Sequence, residues 1–215
     1  CYDKAIELNP NYTDAYYNQG NTYKKLGENQ KAKEYYDKVI KLNPNYIDAY
    51  FNQGNTYNEL GEYQKAKECY EKVIELDPNN TNAYWNMYAH ALNIDEALIT
   101  LNKLYKIDKN HTETRIMIAA LHGYKGDFKY FDELLNSSDA NHPHTRSIKW
   151  VFSLPKLPKI FFNRWNFFDT VVKLSTNSRP FYEFGVWYGL SFQYLINTFK
   201  KGFGFDTFTG LPDAW

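Results

Sequence analysis

From residue 1 to about residue 140 the apolar and small positions keep a helical period and recur in blocks, Tyr50 answering Tyr16 and Tyr70 answering Tyr36. Tyr16, Gly20 and Tyr23 are spaced four and three apart, on one face of a helix, and Ala32, Tyr36 and Val39 repeat that spacing further on. Leu26-Gly27 separates the two sets and Pro44 closes the block. Gly ends a helix by accepting left-handed backbone geometry, and Pro cannot continue one. The pattern predicts a helix, a tight turn and an antiparallel second helix. Gly20 and Ala32 would let the pair approach closely, with aromatic rings filling the space beside them. Shifted by 34, residues 15–48 match 49–82 at 23 of 34 positions, starting with Ala15-Tyr16-Tyr17-Asn18-Gln19-Gly20-Asn21-Thr22-Tyr23 on Ala49-Tyr50-Phe51-Asn52-Gln53-Gly54-Asn55-Thr56-Tyr57. Hairpins that cannot bury their apolar face alone stack on their neighbours, so the block predicts a solenoid.

These residues resemble the tetratricopeptide repeat family. Its aromatic, x2, large, Gly, x2, Tyr pattern is met by Tyr16, Gln19, Gly20 and Tyr23, with Gln19 departing from the usual Leu. The later Ala, x3, aromatic and closing Pro are met by Ala32, Tyr36 and Pro44, then by Ala66, Tyr70 and Pro78. The expected fold class is mainly α. A solenoid spans 1–140, with a partial unit at 1–12, units at 13–46, 47–80 and 81–111, and a degenerate one at 112–136. The third unit loses three residues around Asn93-Ile94-Asp95 and has Lys109 in place of Pro. The fourth keeps Ala119-Ala120 and the Gly126-Asp127 turn.

Asn18, Asn52 and Asn86 hold one position in three successive first helices, and Asn21 and Asn55 lie one turn further along. The resemblance places first helices along a concave groove, which implies an asparagine ladder there. A carboxamide donates and accepts, so it can clamp an extended peptide backbone without reading its sequence. Alternatively, these residues merely solvate the groove. Lys24 and Lys25 are answered by Asn58 and Glu59 in the next unit, which argues against a basic clamp for a peptide carboxylate. The expected partner is a protein or extended peptide.

Composition changes at His142-Pro143-His144, read as a surface loop rather than metal ligands, and no metal site is expected. Leu154-Pro155-Lys156-Leu157-Pro158 reads as a strap, so 141–159 is taken as a linker. Lys159 to Ser175 then predicts a helix with Ile160, Phe161, Trp165, Phe168, Val171 and Val172 on its apolar side. Pro180-Phe181-Tyr182-Glu183-Phe184-Gly185 predicts a strand, Leu190 to Phe199 a helix, and Gly202-Phe203-Gly204-Phe205 a second strand ending at Asp206. Strand, Gly turn, helix, strand and terminal acid form a nucleotide-binding crossover. With no third Gly and no Lys in the turn, a dinucleotide and a P-loop are both disfavoured. An acid directly before Gly185 suits a ligand bearing an ammonium group.

Glu183-Phe184-Gly185-Val186-Trp187-Tyr188-Gly189-Leu190-Ser191 and Gly204-Phe205-Asp206-Thr207-Phe208-Thr209-Gly210-Leu211-Pro212 resemble class I S-adenosylmethionine-dependent methyltransferases, the second string being similar to the macrocin O-methyltransferase branch. The resemblance implies that residues 160–215 are the truncated start of a Rossmann-like α/β domain (helix, then β-α-β). Glu183 and Gly185 would sit by the methionine part of S-adenosylmethionine, Gly189 and Ser191 at the helix entry, and Asp206 on the ribose. Trp187 departs from the Gly common there. The chain is expected to be a fragment of a longer O-methyltransferase, itself inactive, whose array recruits a protein or the acceptor substrate, a small molecule or glycan. The alternatives are a strand-helix-strand unit without a cofactor and a scaffold whose methyltransferase-like segment is degenerate.

Charge and cysteine content narrow the partners further. The 25 basic and 25 acidic residues cancel, leaving no global field for nucleic acid or an anionic membrane. No apolar run has membrane-spanning length. Two cysteines make no disulfide framework, which points to a cytoplasmic location.

Overall fold

The recurring block folds as a pair of helices joined by a tight turn, and the pairs stack in chain order. The computed structural model describes residues 2–160, 162 and 173 with the backbone of 181–184 and 202–205, and it divides into two units, Cys1–Phe162 and Asn163–Trp215. In the first unit α1 (Tyr2–Leu8) precedes the pairs α2 (Thr13–Lys25) with α3 (Asn29–Leu42), α4 (Ile47–Glu59) with α5 (Tyr63–Leu76), α6 (Thr81–Tyr88) with α7 (Ile94–Ile107), and α8 (Thr112–Tyr124) with α9 (Lys129–Leu135). A 3-10 turn, Ser138–Asn141, and α10 (Pro143–Phe152) follow. From α1 to α9 each helix packs on the next, and α10 packs back on α8.

The turns and close contacts follow from the small residues. Gly27, Gly61 and Gly126 turn the chain between paired helices at φ of 75°, 76° and 87°, a conformation that costs an L side chain its Cβ clearance. Within a pair, a methyl at Gly20 would lie 2.7 Å from the Tyr36 ring, and one at Gly54 would lie 2.8 Å from Tyr70. Both rings are completely buried beside the equally buried Ala32 and Ala66. A missing Cβ on one helix thus seats a tyrosine of the other.

The Gln that departs from the family pattern forms a polar tie between units. Gln19 Nε2 donates to Asp3 Oδ1 at 3.0 Å, and one unit on Gln53 Nε2 donates to Asp37 Oδ1 at 2.6 Å. Cys69 lies against Gln53 Oε1 at 3.5 Å, and burial pushes its thiol up to about 12, so it stays protonated and unreactive.

The shortened third unit loses its residues from the end of the first helix. α6 has 8 residues where α4 has 13, while α7 keeps the full length of α5. Asn93-Ile94-Asp95, expected at the turn, is instead the cap and first turn of α7. Asn93 Oδ1 accepts from the Glu96 N–H at 2.9 Å, and Glu96 Oε2 accepts from the Leu92 N–H at 3.0 Å, a reciprocal cap. Tyr88 stands where Gly54 stood, and the buried Leu101 of α7 replaces Tyr70.

His90, in the α6–α7 turn, stacks on Tyr70 (centroids 5.9 Å apart) and tilts over Tyr63 at 5.8 Å. Its Nδ1 is buried without a hydrogen-bond partner. Burial, then the Lys67 charge, lowers its pKa from the usual 6.5. The unfolded chain therefore binds this proton more readily than the folded one, so stability falls as pH drops through about 6.5. Thermal melts at pH 7 and pH 5 should show a smaller loss of Tm in His90→Phe, which keeps the stacking, than in the unaltered protein.

Residues 141–159, expected as a linker, contain α10, and this helix belongs to the first unit. Pro143 takes the first helical position, where its missing N–H costs nothing, and His142 Nδ1 accepts from the His144 N–H at 3.2 Å. His142 thus caps a helix and His144 lies in its first turn, rather than both lying in a loop. Among the described residues no group of His, Cys, Asp and Glu could hold a metal. Phe152, at the end of α10, lies against Gly123 of α8, in the space a Cβ would fill.

In the second unit, β1 (Phe181–Phe184) pairs in parallel with β2 (Gly202–Phe205), with Glu183 opposite Gly204 and Phe184 opposite Phe205. Of the helix expected at 159–175 only 159, 160, 162 and 173 are described, and Lys159 and Ile160, expected in its first turn, are not helical.

Candidate functional site: the first-helix face

The five ladder asparagines lie on neighbouring first helices and are half-buried. Asn18, Asn52 and Asn86 are each the sixth residue of α2, α4 and α6, while Asn21 and Asn55 are each the ninth of α2 and α4. The structure joins four of them in two pairs across unit boundaries. Asn52 Nδ2 donates to Asn21 Oδ1 at 3.1 Å and to the Tyr17 hydroxyl at 2.8 Å, and Asn86 Nδ2 donates to Asn55 Oδ1 at 2.9 Å. The same acceptors take a second bond from the second helix of their own unit. Tyr36 donates to Asn21 Oδ1 at 2.7 Å, and Tyr70 donates to Asn55 Oδ1 at 2.8 Å. Burial raises the pKa of both phenols, so they remain donors.

Each pair is therefore a three-way junction: one carboxamide oxygen receives the buried tyrosine of its own hairpin and the asparagine of the next. The sequence shows the asparagines but not the tyrosine hydroxyls that tie them down; the signal was Tyr36 and Tyr70 recurring at one place in the unit. What remains for a ligand is the sixth-position set. No described residue donates to the carboxamide oxygens of Asn52 and Asn86, and the Asn18 side chain bonds no described residue. The face thus presents one carboxamide acceptor per unit.

Further along the chain the same register turns apolar. Counting from the start of α8, Met117 is the sixth residue and Ala120 the ninth, the places of Asn52 and Asn55. Arg115 takes the place of Tyr50 and Tyr84. Its Nε and Nη2 donate to Asp139 Oδ2 at 2.9 and 2.6 Å, and its Nη1 donates to the Lys109 carbonyl at 2.8 Å. The ring of the earlier units is thus replaced by a charge bound to the 3-10 turn.

Two stretches of the chain, residues 13–46 and 47–80, match the tetratricopeptide repeat family. These are tetratricopeptide repeats. Solved structures share the repeat array as a fold. A crystal structure of MamA superposes with a TM-score of 0.56 at 23% identity, covering 63% of this chain and 83% of that one. A MamA fragment from Desulfovibrio magneticus RS-1 gives 0.56 at 20%, covering 66% and 84%. No curated protein matches the chain. No helix among the described residues is long and apolar enough to cross a membrane.

Of the residues expected to hold S-adenosylmethionine, Gly185, Gly189, Ser191 and Asp206 lie outside the described residues. Glu183 is the third residue of β1.

Proposed function

We propose that the tetratricopeptide array is a binding scaffold that takes an extended peptide of a partner protein along α2, α4 and α6. The observation that carries this reading is the row of carboxamide oxygens of Asn18, Asn52 and Asn86, the last two held in place by the Asn21 and Asn55 junctions, that face no donor among the described residues. Acceptors at one per unit suit the N–H groups of an extended chain, independent of its side chains. Peptides selected from a displayed library against the full chain provide the probe. Asn18, Asn52 and Asn86 changed together to Ala should weaken the selected peptides tenfold or more, since three bonds of about 1 kcal/mol each are lost, while helicity by circular dichroism is retained. Unchanged affinity would remove the reading.

A second reading concerns residues 163–215. The parallel pairing of β1 with β2 favours a crossover unit, in which ligands bind beyond the carboxyl ends of the strands; Phe184 and Phe205 end those strands side by side. On this reading the protein is an S-adenosylmethionine-dependent O-methyltransferase acting on a small-molecule or glycan acceptor that the array helps recruit. Glu183, Gly185, Gly189, Ser191 and Asp206 would hold the cofactor, which supplies the methyl group. Calorimetry of S-adenosylmethionine against the protein should show heat that Asp206→Ala abolishes. No binding by either would leave a scaffold with a degenerate segment.

A further inference from the structure

The first-helix face does not stay open along its whole length. Past the asparagine rungs it becomes apolar at Met117 and Ala120, and here the chain that follows α10 returns to it. Ile160 and Phe162 pack beside Met117 and Tyr88 on the buried cluster around Leu101 and Leu121. Both side chains reach the same cluster, so Ile160 and Phe162 form a two-pronged anchor. Pro155 and Pro158 disfavour helix in the residues before them, which lowers the entropy cost of seating the segment.

We propose that Ile160 and Phe162, carried on the segment after Pro158, are a cis ligand of the array: a built-in peptide anchor that fills the apolar end of the face, closes it to a partner at α8, and can be displaced by a peptide of its own kind. Two observations support displacement. Ile160 and Phe162 are only half-buried. A cavity of about 220 Å³ also remains between them and Tyr88, Met117, Tyr124 and Val151. A prong seated beside empty space forgoes dispersion contacts on that side, so its hold is weak per residue and rests on tethering. A tether of this length supplies an effective concentration on the order of millimolar. A free peptide with the same side chains thus competes at a disadvantage that vanishes when the tethered copy cannot seat. The inference stands on these contacts and not on the ladder, so failure of peptide binding at Asn18, Asn52 and Asn86 leaves it untouched. A partner lying along those rungs would meet the strap at α8 and end there.

The probe is a synthetic peptide of residues 154–164, titrated against the full chain. It should bind the Ile160→Asp, Phe162→Asp double variant about tenfold or more tightly than the unaltered protein, and adding Met117→Glu should abolish that gain. Equal affinity for the unaltered and double-variant chains, or a gain that survives Met117→Glu, would overturn the proposal. Hydrogen exchange on the unaltered chain gives a test that needs no variant. A saturating excess of the peptide should speed exchange at residues 157–162 and leave α2 to α5 unchanged. Unchanged exchange at 157–162 under saturation would equally overturn it.

Discussion

Tyr70→Ala is expected to be the most damaging single replacement in the array, lowering stability by about 3–5 kcal/mol, the range for deleting a completely buried aromatic ring. The ring is fully enclosed. It fills the hollow left by the absent Cβ of Gly54, lies 6.0 Å from Phe51 and stacks on His90. Its removal therefore opens a cavity at three interfaces together: α4 with α5, α5 with α6, and the α6–α7 turn. In a stacked array each unit is stabilised by its neighbours, so a void between two units separates the halves on either side. Urea unfolding followed by circular dichroism should show a lowered midpoint and, for this variant, a broadened or split transition. Tyr70→Phe is the control. It keeps the ring and loses one hydroxyl bond, while Asn55 Oδ1 retains the bond from Asn86 at 2.9 Å, so the expected loss is only about 1 kcal/mol. A similar loss in both variants would place the energy in the junction rather than in the packing.

Asp139→Ala should have the second-largest effect, localised to the C-terminal end of the array. Asp139 is buried in the 3-10 turn, and its Oδ2 receives both the Nε and Nη2 of Arg115. Removing one partner of a fully buried pair costs about 3–5 kcal/mol, because the other charge is left without compensation. Here the Arg115 side chain is 28% exposed and keeps the Lys109 carbonyl and Thr112 hydroxyl as acceptors, so about 2–3 kcal/mol is the better expectation. The loss should be read by hydrogen exchange rather than by a global melt. Amides of α9, the 3-10 turn and α10 should lose protection, while those of α2 to α5 keep theirs. Uniform loss along the whole array would show that this end does not unfold by itself.

How far the sequence alone reaches depends on the range of the interaction concerned. Tyr16, Gly20, Ala32, Tyr36 and their copies in the next unit announce the hairpins, because helical spacing, left-handed glycines and a closing proline act within a short stretch of chain. The same register carries the asparagines to successive first helices, so the candidate site was visible as a row of Asn18, Asn52 and Asn86. That the carboxamides of Asn52 and Asn86 are tied to Asn21 and Asn55, and that Tyr36 and Tyr70 bring their hydroxyls to the same atoms, was not visible. A side chain's hydrogen-bond partner on another helix is chosen by how the helices stack.

The sequence by itself determined the period, the turns, the polar row and the parallel-strand signature at 181–205. Tertiary structure alone decided the end of the array. There Arg115 finds Asp139 in the 3-10 turn, Phe152 finds the gap at Gly123, and a stretch that reads as a linker folds as α10. The segment after α10 likewise looks like a proline-rich strap in one dimension. Only stacking, which sets Met117 where an asparagine would have stood, creates an apolar surface for Ile160 and Phe162. The physical reason is that burial is not a local quantity: a residue's spacing says which face it shares, but what covers that face depends on chain that returns from elsewhere.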